Sequence, residues 1–256
     1  MKICLDAGHG AWDNRSPAVE RYYEGNRMFE YQRFLKKALE AYGIEVLCTR
    51  SSVQDDPSLF ERGTMAKGCD LFLSLHSNAV GGNANESVDY VRVYYPVSGN
   101  GKALAQALSE VIASAMGTRQ SPQILVRWNS AKNADYYGVI RYSANVGVTG
   151  MILEHSFHTN TRMTNWLLQD DNLRLLAQAE AACIAEYYGL QAEAARYELL
   201  KDVKNPRYRA ALDKLGARGL LLGKGGAGEG LILDLGEDAL RILALLDRMG
   251  LLDTKN

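Results

Sequence analysis

Residues 2–10 read Lys2-Ile3-Cys4-Leu5-Asp6-Ala7-Gly8-His9-Gly10, an apolar strand followed at once by a polar loop. The run Lys2–Leu5 is short and apolar, which indicates a buried strand. The loop after it is flanked by glycines and contains His9. In open α/β sheets, ligands bind at the rim formed by the carboxyl ends of the parallel strands. The segment therefore predicts a buried strand with a candidate functional histidine at its carboxyl end.

Strands and helices alternate from this segment to about residue 190. Helices are predicted from helical spacing and end signals at 28–42, 57–68, Ala103–Met116 and Asn165–Tyr188. Apolar and β-branched runs predict further strands at Glu45–Thr49, Leu71–Leu75, Val88–Tyr95, Ile124–Val126, Val139–Arg141 and Thr149–Leu153. Strands separated by helices of this length indicate a layered α/β domain with a largely parallel sheet.

The pattern changes after about residue 191. Residues 191–256 contain no convincing strand, and amphipathic helices are predicted at Pro206–Leu215 and Asp238–Met249. Asn205 is a plausible cap for the first of them, with proline at the first helical position. The glycine-rich run Gly223–Gly230 lacks the hydroxyl residue and the preceding strand of a phosphate-binding loop, so a flexible connector is expected. We therefore predict a large α/β domain over 1–192 and a small helical module over 197–256.

Composition excludes several classes of protein. The 256 residues include 29 basic and 30 acidic side chains, so no basic excess points to nucleic acid or to an acidic membrane surface. There is no run of about 18 apolar residues that could insert into a membrane. The four cysteines form no CxxC pair, which argues against a disulfide framework. Met1-Lys2 leads straight into the first strand with no room for an export segment, so synthesis in the cytoplasm is expected.

Four residues suggest a hydrolytic metal site. His9 and His76 each follow a predicted strand, Glu24 stands at the start of the first long helix, and Glu154 ends the last apolar strand. Two imidazoles, one carboxylate and one open position make a catalytic zinc site, and a further carboxylate can move the proton of the attacking water. The alternative is structural: hydrogen bonds satisfy both histidines, and the helix dipole favours Glu24. The residues alone favour neither the zinc site nor the structural interpretation.

Four sequence blocks resemble the zinc N-acetylmuramoyl-L-alanine amidases of the amidase-3 type. They occur in order across residues 1–190, as Leu5–Gly10, Glu24 with the helix and strand that run to Arg50, Asp70–Asn78 and Ile152–Asn160. The resemblance implies a three-layer α/β fold, with helices on both sides of a mostly parallel, mixed sheet. It also implies one zinc ion held by His9, Glu24 and His76, with Glu154 as general base and acid.

One position departs from the family pattern. The family usually has a small or apolar residue after the catalytic glutamate, and here it is His155. This combination resembles amidases of phage and prophage lysis systems. Asn78, Arg141 and His155 are candidates for substrate binding. For Arg141 and His155 a structural role is the stronger alternative, and for Asn78 the capping of a turn is equally compatible with the sequence.

The resemblance implies a peptidoglycan hydrolase that cleaves the amide between N-acetylmuramic acid and the L-alanine of the stem peptide. A phage-type endolysin is the expected setting, made in the cytoplasm and reaching the cell wall through a membrane lesion. Two rivals are a catalytically inactive wall-binding protein and another zinc hydrolase, such as a peptidase or deacylase. The module over 197–256 has three alternative roles: to bind a wall polymer, to form a homodimer, or to stabilise the catalytic domain.

Overall fold

The computed structural model describes residues 1–191, 196–221, 228, 231–248 and 251–253. The chain divides into two units, Met1–Ala192 and Glu193–Asn256. The strands of the first unit are β1 (Lys2–Ala7), β2 (Glu45–Cys48), β3 (Leu71–Asn78), β4 (Arg92–Tyr94), β5 (Gln123–Leu125) and β6 (Thr149–Phe157). They form one sheet in the order β2-β1-β3-β6-β4-β5.

The sheet is mixed but mostly parallel. β1, β2, β3 and β6 pair in parallel, whereas β4 runs antiparallel to β6 and parallel to β5. Strands β3 and β6 are neighbours in the middle of the sheet, with His76 opposite Glu154. The predicted α/β class with a mostly parallel, mixed sheet is confirmed. Its central strands are buried on both faces, which is why they appear in the sequence as continuous apolar runs.

Helices cover both faces of this sheet and make three layers. They are α1 (Glu24–Glu40), α2 (Leu59–Met65), α3 (Lys102–Met116), α4 (Gly138–Asn145), α5 (Thr161–Leu167) and α6 (Asp170–Tyr187). Because side chains alternate along a strand, the odd-numbered Leu5, Leu73 and Leu153 join the larger apolar cluster with α1, α3 and α6. The even-numbered Phe72 and Ile152 face the opposite way, into the smaller cluster with α4.

The strand predicted at Val139–Arg141 is wrong, since these residues lie inside α4. A run of three residues is too short to distinguish the period of a strand from that of a helix. In the structure, α4 buries both Val139 and Ile140 against the smaller apolar cluster. Packing on the sheet therefore decides the conformation of this run.

The single helix predicted over Asn165–Tyr188 is also wrong, because the chain forms two helices there, α5 and α6. Gln169 has an extended backbone and stands at the start of α6, whose first turn carries Asp170 and Asp171. Carboxylates at that end are favoured by the helix dipole. Asn160 caps α5 by accepting a hydrogen bond from the backbone N–H of Met163. Each helix thus has its own start signal within one continuous apolar pattern.

The second unit is not purely helical. Strands β7 (Arg196–Leu199) and β8 (Ile232–Gly236) pair antiparallel, and the predicted absence of strands is wrong. Its helices are α7 (Pro206–Ala217) and α8 (Glu237–Arg248), and a 3₁₀ turn covers Leu200–Asp202. The strands are short, and neither is stable without its partner, so single segments give a weak signal.

A small apolar cluster holds the second unit together. It consists of Leu200, Val203, Leu212, Leu233 and Leu240. The predicted cap is confirmed, since the side chain of Asn205 accepts from the N–H of Arg207 at the start of α7. The glycine-rich run Gly223–Gly230 lies outside the described residues except for Gly228. Across the described residues of both units, no helix is long and apolar enough to cross a bilayer.

Candidate active site

Strand alternation places a row of polar side chains on the α2 and α4 face of the sheet. Asp6 of β1 stands opposite Ser74 of β3, and His76 of β3 stands opposite Glu154 of β6. These residues occupy the even-numbered positions whose neighbours Phe72 and Ile152 pack under the helices. Towards the carboxyl ends of the parallel strands, this face of the sheet changes from apolar to polar.

His9, Glu24 and His76 meet at this rim. One potential ligand atom from each lies within 4.8 Å of the other two. Glu24 Oε1 is 3.0 Å from His76 Nδ1, and Glu24 Oε2 is 3.5 Å from His9 Nε2. The ring centroids of the two histidines are 4.9 Å apart. Among the described residues, this is the one group of three or more His, Cys, Asp or Glu side chains arranged to hold a metal ion.

The loop after β1 is docked on the start of α1. The N–H of Glu24 donates to the carbonyl of Asn14, and the N–H of Gly25 donates to that of Asp13. A Cβ on Gly25 would lie 1.7 Å from the carbonyl oxygen of Gly10, so only glycine allows this approach. His9 has a φ of 62°, a strained backbone that such docking maintains. Backbone hydrogen bonds and close packing therefore hold the loop that carries His9 against the start of α1.

The carboxylate of Glu24 is buried, and both of its oxygens accept hydrogen bonds. Its side chain is 1% exposed. Oε1 accepts from the N–H of Ser77 at 2.9 Å, and Oε2 accepts from Asn14 Nδ2 at 2.9 Å. Burial alone would raise the pKa of Glu24, but the hydrogen bond from His76 and the charges of His76 and His9 lower it to about 2. The carboxylate is therefore ionised at neutral pH.

The donor set fits a zinc ion. Asn14 Nδ2 contacts both His9 Nε2, at 3.0 Å, and Glu24 Oε2, so these two atoms are acceptors that converge on one point. Burial would lower the pKa of His76, but its hydrogen bond to Glu24 and the charge of Glu24 raise it to about 9. The space between Nδ1 and Oε1 thus favours positive charge. Two imidazole nitrogens and one carboxylate are the protein ligands of many catalytic zinc sites.

Glu154 is the unpaired carboxylate of the site. Its Oε2 is buried, and among the described residues it has no hydrogen-bond partner. Burial raises the pKa of Glu154 to about 7, and the charge of Glu24 adds to this, although His76 opposes it. A carboxylate with a pKa near neutrality can both accept and donate a proton at physiological pH. An unpartnered buried oxygen beside three side chains that could hold a metal ion is compatible with a general base.

The raised pKa of Glu154 predicts that glutamine at this position stabilises the metal-free protein. The pKa is about 7 when folded against an ordinary 4.5, so ionisation costs stability as pH rises between these values. We expect Glu154→Gln to be more stable than the unsubstituted protein by about 1–3 kcal/mol at pH 8, and to show no advantage below about pH 4.5. Urea unfolding in the presence of a chelator at several pH values measures this. An advantage that does not change with pH would contradict it.

A cleft of about 500 Å³ opens beside these residues, within the usual size range of ligand sites. Its apolar wall consists of Pro57, Leu59, Tyr137, Val139 and Ile152. Its polar wall includes His9, His76 and Glu154. An adjoining recess of about 190 Å³ is lined by Glu24 and Asn78. The cleft can therefore hold an extended substrate with one bond beside Glu154.

The three candidates for substrate contact lie in different environments. Asn78 lines the recess beside Glu24. The guanidinium of Arg141 donates to the backbone carbonyls of Asp135 and Tyr136, which explains it as a structural residue.

For His155 the structure favours the structural alternative over contact with substrate. His155 is 0% exposed on the opposite face of the sheet, because neighbouring residues of a strand point to opposite sides. Its Nε2 lies 2.8 Å from Glu180 Oε1 on α6, and its Nδ1 lies 2.9 Å from the carbonyl of His76. It is thus a buried partner of the strand that carries His76.

Polar residues that the sequence did not mark as catalytic, metal-binding or substrate-binding candidates hold the site in place. Arg62 donates to Asp6 and to the carbonyls of Ala7 and His9. Ser74 links Asp6 to His76. One signal was available for Ser74, which stands two residues before His76 and therefore on the same face of the strand. The contacts of Arg62 carried no local signal, because α2 is distant in sequence from β1.

Comparisons with known proteins identify the family. The family model Amidase_3, described as N-acetylmuramoyl-L-alanine amidase, matches residues 3–186. The N-acetylmuramoyl-L-alanine amidase CwlM of Bacillus licheniformis is 27% identical over 205 residues, which cover 76% of this chain and 72% of that protein. The N-acetylmuramoyl-L-alanine amidase LytC of Bacillus subtilis (strain 168) is 31% identical over 197 residues, which cover 73% of this chain but 35% of LytC.

Solved structures share the fold of the first unit. The catalytic domain of CwlV, an N-acetylmuramoyl-L-alanine amidase from Bacillus (Paenibacillus) polymyxa var. colistinus, superposes with a TM-score of 0.62 at 22% identity, covering 74% of this chain and 99% of that one. An N-acetylmuramoyl-L-alanine amidase from Clostridium difficile 630 gives a TM-score of 0.63 at 20% identity, covering 73% of this chain and 96% of that one. At these identities the likeness concerns the fold alone.

Proposed function

We propose that this chain, which belongs to the Amidase_3 family of N-acetylmuramoyl-L-alanine amidases, is a zinc-dependent peptidoglycan hydrolase. The bond it cleaves is the amide between the lactyl group of N-acetylmuramic acid and the L-alanine of the stem peptide. His9, Glu24 and His76 would hold one zinc ion. When bound, zinc supplies a Lewis acid that polarises a carbonyl and increases the acidity of water.

Glu154 carries the proton in this proposal. Its Oε2 accepts a proton from the attacking water as the new carbon–oxygen bond forms at the lactyl carbonyl carbon. The same oxygen then donates that proton to the amide nitrogen as the carbon–nitrogen bond breaks. The products are a lactyl carboxylate on the sugar and a free amino terminus on alanine. A pKa of about 7 lets one carboxyl group perform both transfers without a large energetic penalty.

One observation carries the proposal: a buried oxygen of Glu154, unpartnered among the described residues, belongs to a residue that lines the same recess as His9, Glu24 and His76. A stability role does not account for it, because an unpaired buried carboxylate destabilises a fold. A catalytic role does, since the missing partner is then the reacting water. The family match over residues 3–186 supports the identity of the bond.

Purified cell walls test the activity directly. The full chain is expected to release new amino-terminal alanine and lactyl carboxylates, without disaccharide reducing ends and without cleavage inside the stem peptide. New amino termini on other residues would indicate a peptidase, and release of acetate would indicate a deacylase. Binding to walls without any release would indicate an inactive wall-binding protein. Each of these outcomes would overturn the proposal.

The biological setting is proposed on narrower grounds. The histidine after the proposed catalytic glutamate resembles amidases of phage and prophage lysis systems, which supports a phage-type endolysin. Efficient export of the chain by an intact, uninfected host would contradict it. For the second unit, wall binding is the first proposal and homodimer formation the alternative. Removing residues 197–256 and measuring wall binding and oligomeric state separates the two.

A further inference from the structure

Two buried side chains, Asp6 and Ser74, form a line of hydrogen bonds behind the proposed metal ligand His76. Ser74 Oγ donates to Asp6 Oδ2 at 2.5 Å and lies 3.1 Å from His76 Nε2. Asp6 and Ser74 are both 0% exposed. His76 Nε2 is the ring nitrogen on the far side from Glu24, which contacts Nδ1. These hydrogen bonds therefore reach His76 on the side opposite to Glu24, and Nδ1 faces the proposed metal ligands.

The hydrogen bonds that Asp6 accepts determine which atom is the donor at each step between Asp6 and His76. Arg62 Nη1 donates to Asp6 Oδ1 at 2.8 Å, and Thr49 Oγ1 donates to the same oxygen at 2.6 Å. A carboxylate paired with arginine accepts hydrogen bonds and has no proton to give. The single hydroxyl proton of Ser74 must therefore point to Asp6. With its proton used, Ser74 Oγ can only accept from His76, so His76 Nε2 carries a hydrogen.

From this we propose that Asp6 and Ser74 are positioning residues that hold His76 as the Nε2–H tautomer and so present the Nδ1 lone pair to the metal. This inference rests on the proposed zinc site. Histidines that bind metal characteristically donate their other ring N–H to a partner, which sets the tautomer and the orientation of the ring. Here the partner of His76 is the hydroxyl of Ser74, and the carboxylate of Asp6 orients that hydroxyl.

The His76 ring packs against Gly8, but this contact alone does not select the tautomer of the ring. A Cβ on Gly8 would lie 2.2 Å from His76 Cε1, so the imidazole ring packs against this backbone. Such packing restrains the plane of the ring but does not distinguish one protonated nitrogen from the other. Ser74 makes that distinction, because its oxygen accepts a hydrogen bond only from a protonated Nε2.

Ser74→Ala tests the inference through zinc affinity, measured by competition with a chelator. We expect affinity to fall by about 10–100-fold, the usual effect of removing such a partner. Ser74→Thr keeps the hydroxyl and is expected to restore most of the affinity. Ser109→Ala is the matched control, because Ser109 is also 0% exposed but donates to the carbonyl of Gln106 within α3, on the other face of the sheet. It should bind zinc as the unsubstituted protein does.

Nitrogen-15 NMR of the histidine rings adds a readout that a loss of stability would not produce. In the zinc-loaded protein, the His76 signals should show a protonated Nε2 and an unprotonated Nδ1. In the metal-free protein with a neutral His76 ring, Ser74→Ala should weaken the preference for a protonated Nε2. If the unsubstituted protein binds no zinc, the proposed function fails. If it binds zinc and Ser74→Ala binds it equally well, or if Nδ1 is the protonated nitrogen, this inference alone is overturned.

Discussion

Glu154→Ala should release amino-terminal alanine from cell walls about 10²–10⁴ times more slowly than the unsubstituted protein while still binding one zinc ion. The factor is the usual contribution of a positioned general acid–base group. Zinc binding should survive because Glu154 is not in the ligand cluster of His9, Glu24 and His76. Alanine-end release and metal content, measured on the same preparation, check both halves of this expectation.

Glu154→Gln is the companion variant, since it keeps the size of the side chain and removes its charge. It should be as inactive as Glu154→Ala, because an amide cannot accept the proton of water at neutral pH. Asp135→Asn serves as a control: Asp135 is a buried carboxylate, also with a raised pKa, but it accepts from the N–H of Val97 outside the catalytic cleft. Full activity in either Glu154 variant would remove Glu154 from the mechanism.

His76→Ala and Glu24→Gln should each abolish zinc binding at micromolar metal and reduce alanine-end release below detection. Each removes one of the three proposed ligands, so the loss of affinity should exceed the roughly 10–100-fold effect of removing a partner of a ligand. Glutamine in place of Glu24 keeps the hydrogen-bonding shape but loses the negative charge that two histidines face. Metal analysis after gel filtration, together with the wall assay, provides the measurement.

His158→Gln is the matched control for these ligand variants. His158 Nδ1 lies 3.7 Å from Glu24 Oε2, but it also lies 2.9 Å from Ser77 Oγ and stands outside the ligand cluster. We expect this variant to retain zinc.

Chelation should inactivate the unsubstituted protein, and added zinc should restore its activity. Undiminished activity after complete removal of metal would refute a metal-dependent mechanism.

The local pattern of apolar residues was sufficient to predict the central strands of the sheet. The run Leu71–Leu75 predicts β3, and Lys2–Leu5 predicts β1, because strands buried on both faces must be apolar along their length. Glu24 was placed at the start of the first long helix, and α1 begins there. The same local reasoning failed at Val139–Arg141, where three residues carry no measurable period. It also failed for β7 and β8, which depend on each other across a sequence separation that no local pattern records.

The residue types that end the central strands, and the family to which their order belongs, can be recognised in the amino-acid sequence. The folded arrangement is needed to know which of these side chains meet. Glu24 and His76 are 52 residues apart and touch because α1 starts against the carboxyl end of β3. His155 and Glu154 are adjacent in sequence yet point to opposite faces of the sheet, so one packs against α6 and the other faces the cleft. The physical reason is that strand alternation and register act between distant segments, and burial together with the neighbouring charges then sets the protonation of each group.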